Sequence, residues 1–188
     1  MNTYIKHIAI STLATLIITS CTPEKKQDPF EISKQHVGLL TDSTQVKDLE
    51  IVFPNDSIVT AIKGDEFSDD INDIDIYSSE GKKLLSLTPS QALDSTAVIK
   101  SVQILSEKYK TEKNISSLST FKDIKDNYKI SSINTLINSV VISVNEINAS
   151  FTIEKKELPA NLRYDMSINI DAVQIPDHAK IKYFIIHW

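Results

Sequence analysis

One cysteine in 188 residues excludes an internal disulfide framework. Three glycines leave little material for a phosphate-cradling loop, and neither G-x-x-x-x-G-K nor G-x-G-x-x-G occurs. After residue 20 no run of 18 consecutive apolar residues exists, so nothing there reads as a membrane-spanning helix. Basic excess is missing too: 20 Lys+Arg stand against 25 Asp+Glu, a formal net charge of −5. Such a chain gains nothing from nucleic acid or from anionic headgroups, so no nucleic-acid partner is expected. No H-E-x-x-H is present and no two histidines share a helical face, which leaves a zincin site without ligands. G-x-S-x-G is absent from a serine-rich chain.

What is present is ordinary globular composition, 41% hydrophobic and 24% charged, at a length for one medium domain or two small ones. The N-terminus is the informative part. Lys6 and His7 form a short polar start. Ile8, Ala9, Ile10 and residues 13–18 form an apolar run, too short for a stable membrane span and flanked like a secretory signal. The run ends in Ile18-Thr19-Ser20-Cys21.

That tetrapeptide resembles the lipobox of bacterial lipoproteins. The resemblance implies a signal peptide over residues 1–20, a diacylglycerol on the Cys21 thiol, cleavage before Cys21, and acylation (palmitate or a similar chain) of the new amine. Cys21 is then the lipid attachment site, and the bilayer is a partner through that anchor. Several acyl chains, each buried CH₂ contributing about 0.8 kcal/mol, make such an anchor effectively permanent. Removing the leader, with its one Lys and no acid, takes the net charge to −6. Thr22 follows the cysteine, and no Asp does, a pattern that resembles outer-membrane sorting. The mixed run from Thr22 to Asp28 leaves periplasmic and surface-exposed placements both open. Residues 21–29, with Pro23 and Pro29, read as the lipidated Cys and a short polar tether.

The remainder divides into a first unit over 30–88, a linker with Pro89, Ser90, Asp94 and Ser95, and a second unit over 97–188. A shift of 75 residues, without gaps, sets Leu40 on Ile115, Thr44 on Ser119, Val46 on Phe121, Leu49 on Ile124 and Phe53 on Tyr128. Both windows place apolar residues at i, i+3 and i+7, which predicts a helix of about three turns. Hydroxyl and carboxylate cappers precede each: Asp42, Ser43 and Thr44, then Ser116, Ser117 and Ser119. Only Lys47/Lys122 and Asp48/Asp123 are identical, so duplication and coincidence both stand at this point.

Strand patterns follow each window. Residues 57–62 alternate, and residues 73–88 read as a hairpin around Ser78-Ser79-Glu80-Gly81. Further strands are expected over 98–105, 139–145, 150–154, 166–173 and 180–188, with a charged loop over 108–116. Two short helices against seven or eight strands make the expected fold class α+β: short helices packed on antiparallel sheet, in two tandem related units. The run Val37-Gly38-Leu39-Leu40-Thr41 is similar to a periplasmic module of outer-membrane-assembly lipoproteins and β-lactamase-inhibitor-like proteins. There a glycine turn starts a helix that packs on the sheet. Lys113 stands where Gly38 would repeat, so the second turn must differ. The likeness is one of fold and transfers no function.

No catalytic constellation emerges. Of the histidines after the leader, His178 sits in a polar turn, His36 stands alone, and His187 alternates onto the face of Ile181, Tyr183 and Ile185 as an edge or core residue. The acidic stretch 65–75 fails the EF-hand template at every register and reads as a solvated loop. The Lys-rich stretch 107–113 also holds two Glu and reads the same way. Three Asp-Ser/Thr segments, at Asp42, Asp56 and Asp94, resemble an O-glycosylation sequon, and turn or cap chemistry explains them equally. The expectation is a lipid-anchored cell-envelope protein acting as a non-catalytic binding or scaffolding module, with an envelope protein as partner, no metal and no cofactor. The alternative is an inhibitor or immunity-type protein that blocks a secreted enzyme. An enzyme with dispersed acids, such as Asp165 or Asp171 in a pocket, is the third possibility.

Overall fold

Alternating side chains in an extended segment stand on opposite faces, so a strand with one apolar set has one buried face. Residues 139–144 and 149–154 show it plainly: Val140, Ile142, Val144, Ala149, Phe151 and Ile153 are buried, and the strand residues alternating with them are not. The computed structural model describes residues 27–60, 73–163 and 169–188.

In chain order the described residues form β1 (Glu31–Ile32), β2 (His36–Val37), β3 (Leu40–Thr41), a 3₁₀ turn (Val46–Asp48) running into α1 (Leu49–Val52), β4 (Ser57–Thr60), β5 (Ile74–Tyr77), β6 (Lys83–Pro89) and β7 (Ile99–Ile104). Then come β8 (Lys110–Thr111), α2 (Phe121–Asn127), β9 (Ser132–Thr135), β10 (Ser139–Val144), β11 (Ala149–Glu154), α3 (Ala160–Arg163) and β12 (Ile181–His187). Eight strands make one antiparallel sheet in the order β4-β5-β6-β7-β12-β11-β10-β9. A small sheet, β3-β2-β1-β8, adds Ile32, Val37 and Leu40 to the same hydrophobic core. The fold is α+β.

The large sheet is two four-stranded meanders joined through β7 and β12. Its central register is self-symmetric: Ile104 faces Phe184, Val102 faces Ile186, and Gln103 faces Ile185 at the centre. A pseudo-two-fold axis passes through that middle pair, with Ile99 matching Ile181 at the strand starts. The hydrogen bonds repeat as well. Thr41 N donates to Thr44 Oγ1 at 2.9 Å, and Ser116 N donates to Ser119 Oγ at 3.0 Å. Val46 N reaches Ala97 O, and Phe121 N reaches Ala179 O; Lys47 N reaches Ser95 O, and Lys122 N reaches Asp177 O. The bridge Gln45–Val98 returns as Thr120–Lys180. The two tandem units are therefore structurally related, and the 75-residue shift extends from Leu40 and Ile115 to β4 and β9.

The repeat continues past that shift with changed loop lengths. The hairpin turns differ in sequence but share geometry: Gly81 (φ 77°) ends one and Asn148 (φ 50°) ends the other. Strand β7, expected to open the second unit, pairs along β6 and is the counterpart of β12, so it completes the first meander. Residues 89–97, expected as a linker, belong to the first meander instead: Pro89 ends β6, and the β6–β7 loop that follows accepts hydrogen bonds from Val46 N and Lys47 N of the 3₁₀ turn. Both units share one core in which Leu49, Phe121, Ile124, Phe151 and Phe184 are all buried. Phe151 and Phe184 stack at 4.6 Å.

The helices are shorter than the expected three turns. Phe53 precedes Pro54, whose ring disfavours helix for the residue before it, and Phe53 leaves the helix at φ −120°, ψ 61°. In the second unit Tyr128 turns extended after Asn127. Residues 166–173, expected as a strand, carry instead a 3₁₀ turn over Ala172–Gln174 in their described part; Asp171 N is held there by the Gln174 side chain at 2.9 Å. The charged loop over 108–116 contributes β8, which pairs parallel to β1.

Gly38 shows why the two small-sheet turns differ. Its φ is +57°, and a Cβ there would lie 2.3 Å from the Pro29 carbonyl oxygen, so no side chain fits. In the second unit the left-handed residue is Asn114 (φ 62°), one position after the Lys113 that aligns with Gly38. Asparagine tolerates that region better than other non-glycine residues.

Candidate interaction surface

Two neighbouring rows of side chains cross all eight strands of the large sheet on opposite faces. One runs Ile58, Ile76, Leu85, Ile104, Phe184, Phe151, Ile142, Ile133 and is apolar throughout. The other runs Val59, Asp75, Ser86, Gln103, Ile185, Ser150, Ser143, Ser132 and is mostly small and polar. Burial of an apolar row drives that face onto the core; a row of hydroxyls and amides has no such drive. The polar face is about 34 Å wide, from seven inter-strand steps of about 4.8 Å.

The polar face is uneven. On β5 and β6, Asp75 and Ser86 are buried, with Ser86 Oγ donating to Asp75 at 2.6 Å and Lys83 Nζ at 2.6 Å from the same carboxylate. From β7 to β9 the side chains are half-buried or exposed: Ser101, Gln103, Tyr183, Ile185, Thr152, Ser150, Ser143 and Asn134. Here Ser150 Oγ and His187 Nε2 lie 2.7 Å apart across neighbouring strands. Burial holds the His187 imidazole below its ordinary value of 6.5, so the neutral ring is favoured. At the end of β11, Glu154 accepts from Lys156 and from Lys182, the latter at 2.5 Å. These hydrogen bonds hold the Glu154 carboxyl below, and the Lys182 ammonium above, their ordinary values.

His187 thus stands on the polar face of a central strand with Tyr183 and Ile185, accessible to water at its edge while its ring is partly desolvated by its neighbours. Ile181, expected on the same face, points into the core, because a register shift between Thr152 and Ile153 places two β12 steps against one on β11. No carboxylate is hydrogen-bonded to the ring among the described residues. The Ser–His contact was invisible in sequence, since the partners stand 37 positions apart. His178 is exposed in its turn. His36 is half-buried with a buried Nδ1 that has no hydrogen-bond partner. It lines an open cleft of about 640 Å³ with Asp28, Glu31, Lys108, Lys110 and Glu112.

Cys21 lies outside the described residues, as do Asp165 and residues 65–72 of the acidic stretch. Within the rest of that stretch Asp73 accepts from Thr88 Oγ1 at 2.9 Å, and Asp75 is committed as above. Among the described residues no group of three metal-ligating side chains gathers, and no helix is long and apolar enough to cross a membrane. Asp171 is exposed at the start of its 3₁₀ turn. Of the three Asp-Ser/Thr segments, the one at Asp94 closes a turn: its carboxylate accepts from Thr96 N at 2.8 Å and Thr96 Oγ1 at 2.7 Å.

No family model matches this chain, and no curated protein does. Among solved structures, the crystal structure of the uncharacterized protein yfeY from Escherichia coli is similar in fold. Its TM-score is 0.56 at 13% identity, over 84% of this chain and 99% of that chain. At that identity the likeness concerns the fold alone.

Proposed function

We propose that this protein is a lipid-anchored component of the bacterial cell envelope, most consistent with the outer membrane, which binds or scaffolds another envelope protein without catalysis. The observation that carries it is the Ile18-Thr19-Ser20-Cys21 segment: the chain's one cysteine ends an apolar leader. The surface from β7 to β9 supports the binding half of the reading. It is broad, polar and carried on paired strands, which suits protein contact better than capture of a small molecule in a deep pocket.

Intact-mass analysis of the N-terminal peptide from membrane-purified protein tests the anchor. The expected peptide begins at Cys21 and carries diacylglycerol; a peptide beginning upstream, or an unmodified thiol, refutes it. Cys21→Ser should release or stall the protein and leave residues 30–188 folded. Photocrosslinkers at Gln103 and Thr152 test the binding face in cells. A discrete adduct with one envelope protein is expected, and its absence from both sites counts against this face.

A further inference from the structure

The point where the chain enters the fold restricts how the protein can stand on a bilayer. Gln27 is already held: its Nε2 donates to Gly38 O at 2.5 Å. Phe30 N donates to the Asp28 carboxylate at 2.9 Å, the Phe30 ring meets Tyr109 edge-on at 5.3 Å, and Lys110 N donates to Phe30 O. The segment expected to be free tether to residue 29 is therefore docked from Gln27 onward. Six residue steps separate Cys21 from Gln27, and at about 3.5 Å each they span at most about 21 Å. A folded body of this size is about 40 Å across. The lipid on Cys21 could not reach a bilayer lying against the far side of the body.

The near side is the small-sheet layer. Trp188 continues the core-facing series of Phe184 and Ile186, and its indole donates to Lys34 O in the β1–β2 turn, so that layer covers the core side of the large sheet. The open polar face is on the opposite side. Around the chain's entry three apolar side chains are left exposed: Phe30 at 38%, Leu39 at 47% and Leu118 at 70%. Leu39 follows the glycine that holds Gln27, and Phe30 and Leu118 line one shallow cleft with Asp28 and Lys108. Lys108 and Lys110 are offset by Asp28 and Glu107, so attraction to anionic lipid is not what this surface offers. Apolar side chains at an interface gain by entering the headgroup–acyl boundary.

Resting on the lipid-anchor reading, we propose that Phe30, Leu39 and Leu118 contact the bilayer at that boundary, so that the protein stands on its small sheet and turns the open sheet face away from the membrane.

Depth-dependent quenching tests this on the full-length, membrane-purified protein. Lipid occupies Cys21, so an introduced cysteine is the single labelling site. Leu39→Cys, Leu118→Cys and, on the open face, Tyr183→Cys each carry a bimane. The vesicles are phosphatidylethanolamine and phosphatidylglycerol with nitroxide-labelled lipid. Quenching several-fold stronger at positions 39 and 118 than at 183 is expected. Equal quenching at all three, or stronger quenching at 183, overturns the orientation while a lipidated Cys21 peptide from the same sample leaves the anchor standing. An unmodified Cys21 overturns both.

Discussion

Single residues in this protein are constrained for different physical reasons, and each reason has its own measurement. Gly38 needs both its positive φ and the missing Cβ, because Pro29 O occupies that space. Gly81 needs only the φ, since a Cβ there meets nothing within 4 Å. Gly38→Ala should therefore destabilise by about 1–3 kcal/mol, and by more than Gly81→Ala, in urea unfolding. His187 supplies a pH effect. Its folded value lies below the ordinary 6.5 through burial, so the folded state takes up its proton later than the unfolded chain. Stability from this group is fully present above about 6.5 and declines as pH falls through that value toward the folded one. Wild type should lose more unfolding free energy than His187→Gln as pH falls from 7 to 5, before the paired carboxylates titrate. A constant gap across that window would remove His187 as the cause.

Elements here are short, and their ends matter accordingly. Helix α2 has seven residues, so isolated helix propensity cannot sustain it. Its start is fastened twice: Asp123 accepts Thr120 N at 2.7 Å, and Phe121 N reaches Ala179 O across the fold. Asp123→Ala should cost about 1 kcal/mol, read as a lowered urea midpoint at unchanged slope. The helix windows were legible in sequence because capping and the i, i+3, i+7 spacing are local. Their true lengths were not, because Pro54 and the extended Tyr128 end them where the packing does. The two-residue strands β1, β2, β3 and β8 were invisible for a different reason: two residues carry no period. The Ser150–His187 pair was hidden because it exists only once β11 and β12 lie side by side.

For the whole molecule the pseudo-two-fold arrangement has an energetic consequence. The halves share the β7–β12 pairing and one continuous core, so neither has a surface at which to unfold alone. Leu49 and Ile124 are equivalent residues of the two halves, each buried to within 1%. Leu49→Asp and Ile124→Asp should each cost several kcal/mol by burying an unpaired carboxylate. Each should lower one common transition followed by far-UV and near-UV signals together; two separate transitions would show independent halves. The same architecture sets the orientation proposed on the membrane, since chain entry and open face lie on opposite sides of the core.

Alternation along β10, β11 and β12 determined, from sequence alone, that these segments are strands with one buried face, and matched spacing in the two windows related Leu49 to Ile124. These are short-range properties, written in residues two to seven apart, and they need no partner to be read. Tertiary structure alone decided which strands meet, that β7 ends the first half and pairs β12 at the centre, and that Gln27 is already bound. Pairing between segments some eighty residues apart depends on how all apolar faces can be buried at once, and no local pattern carries that information.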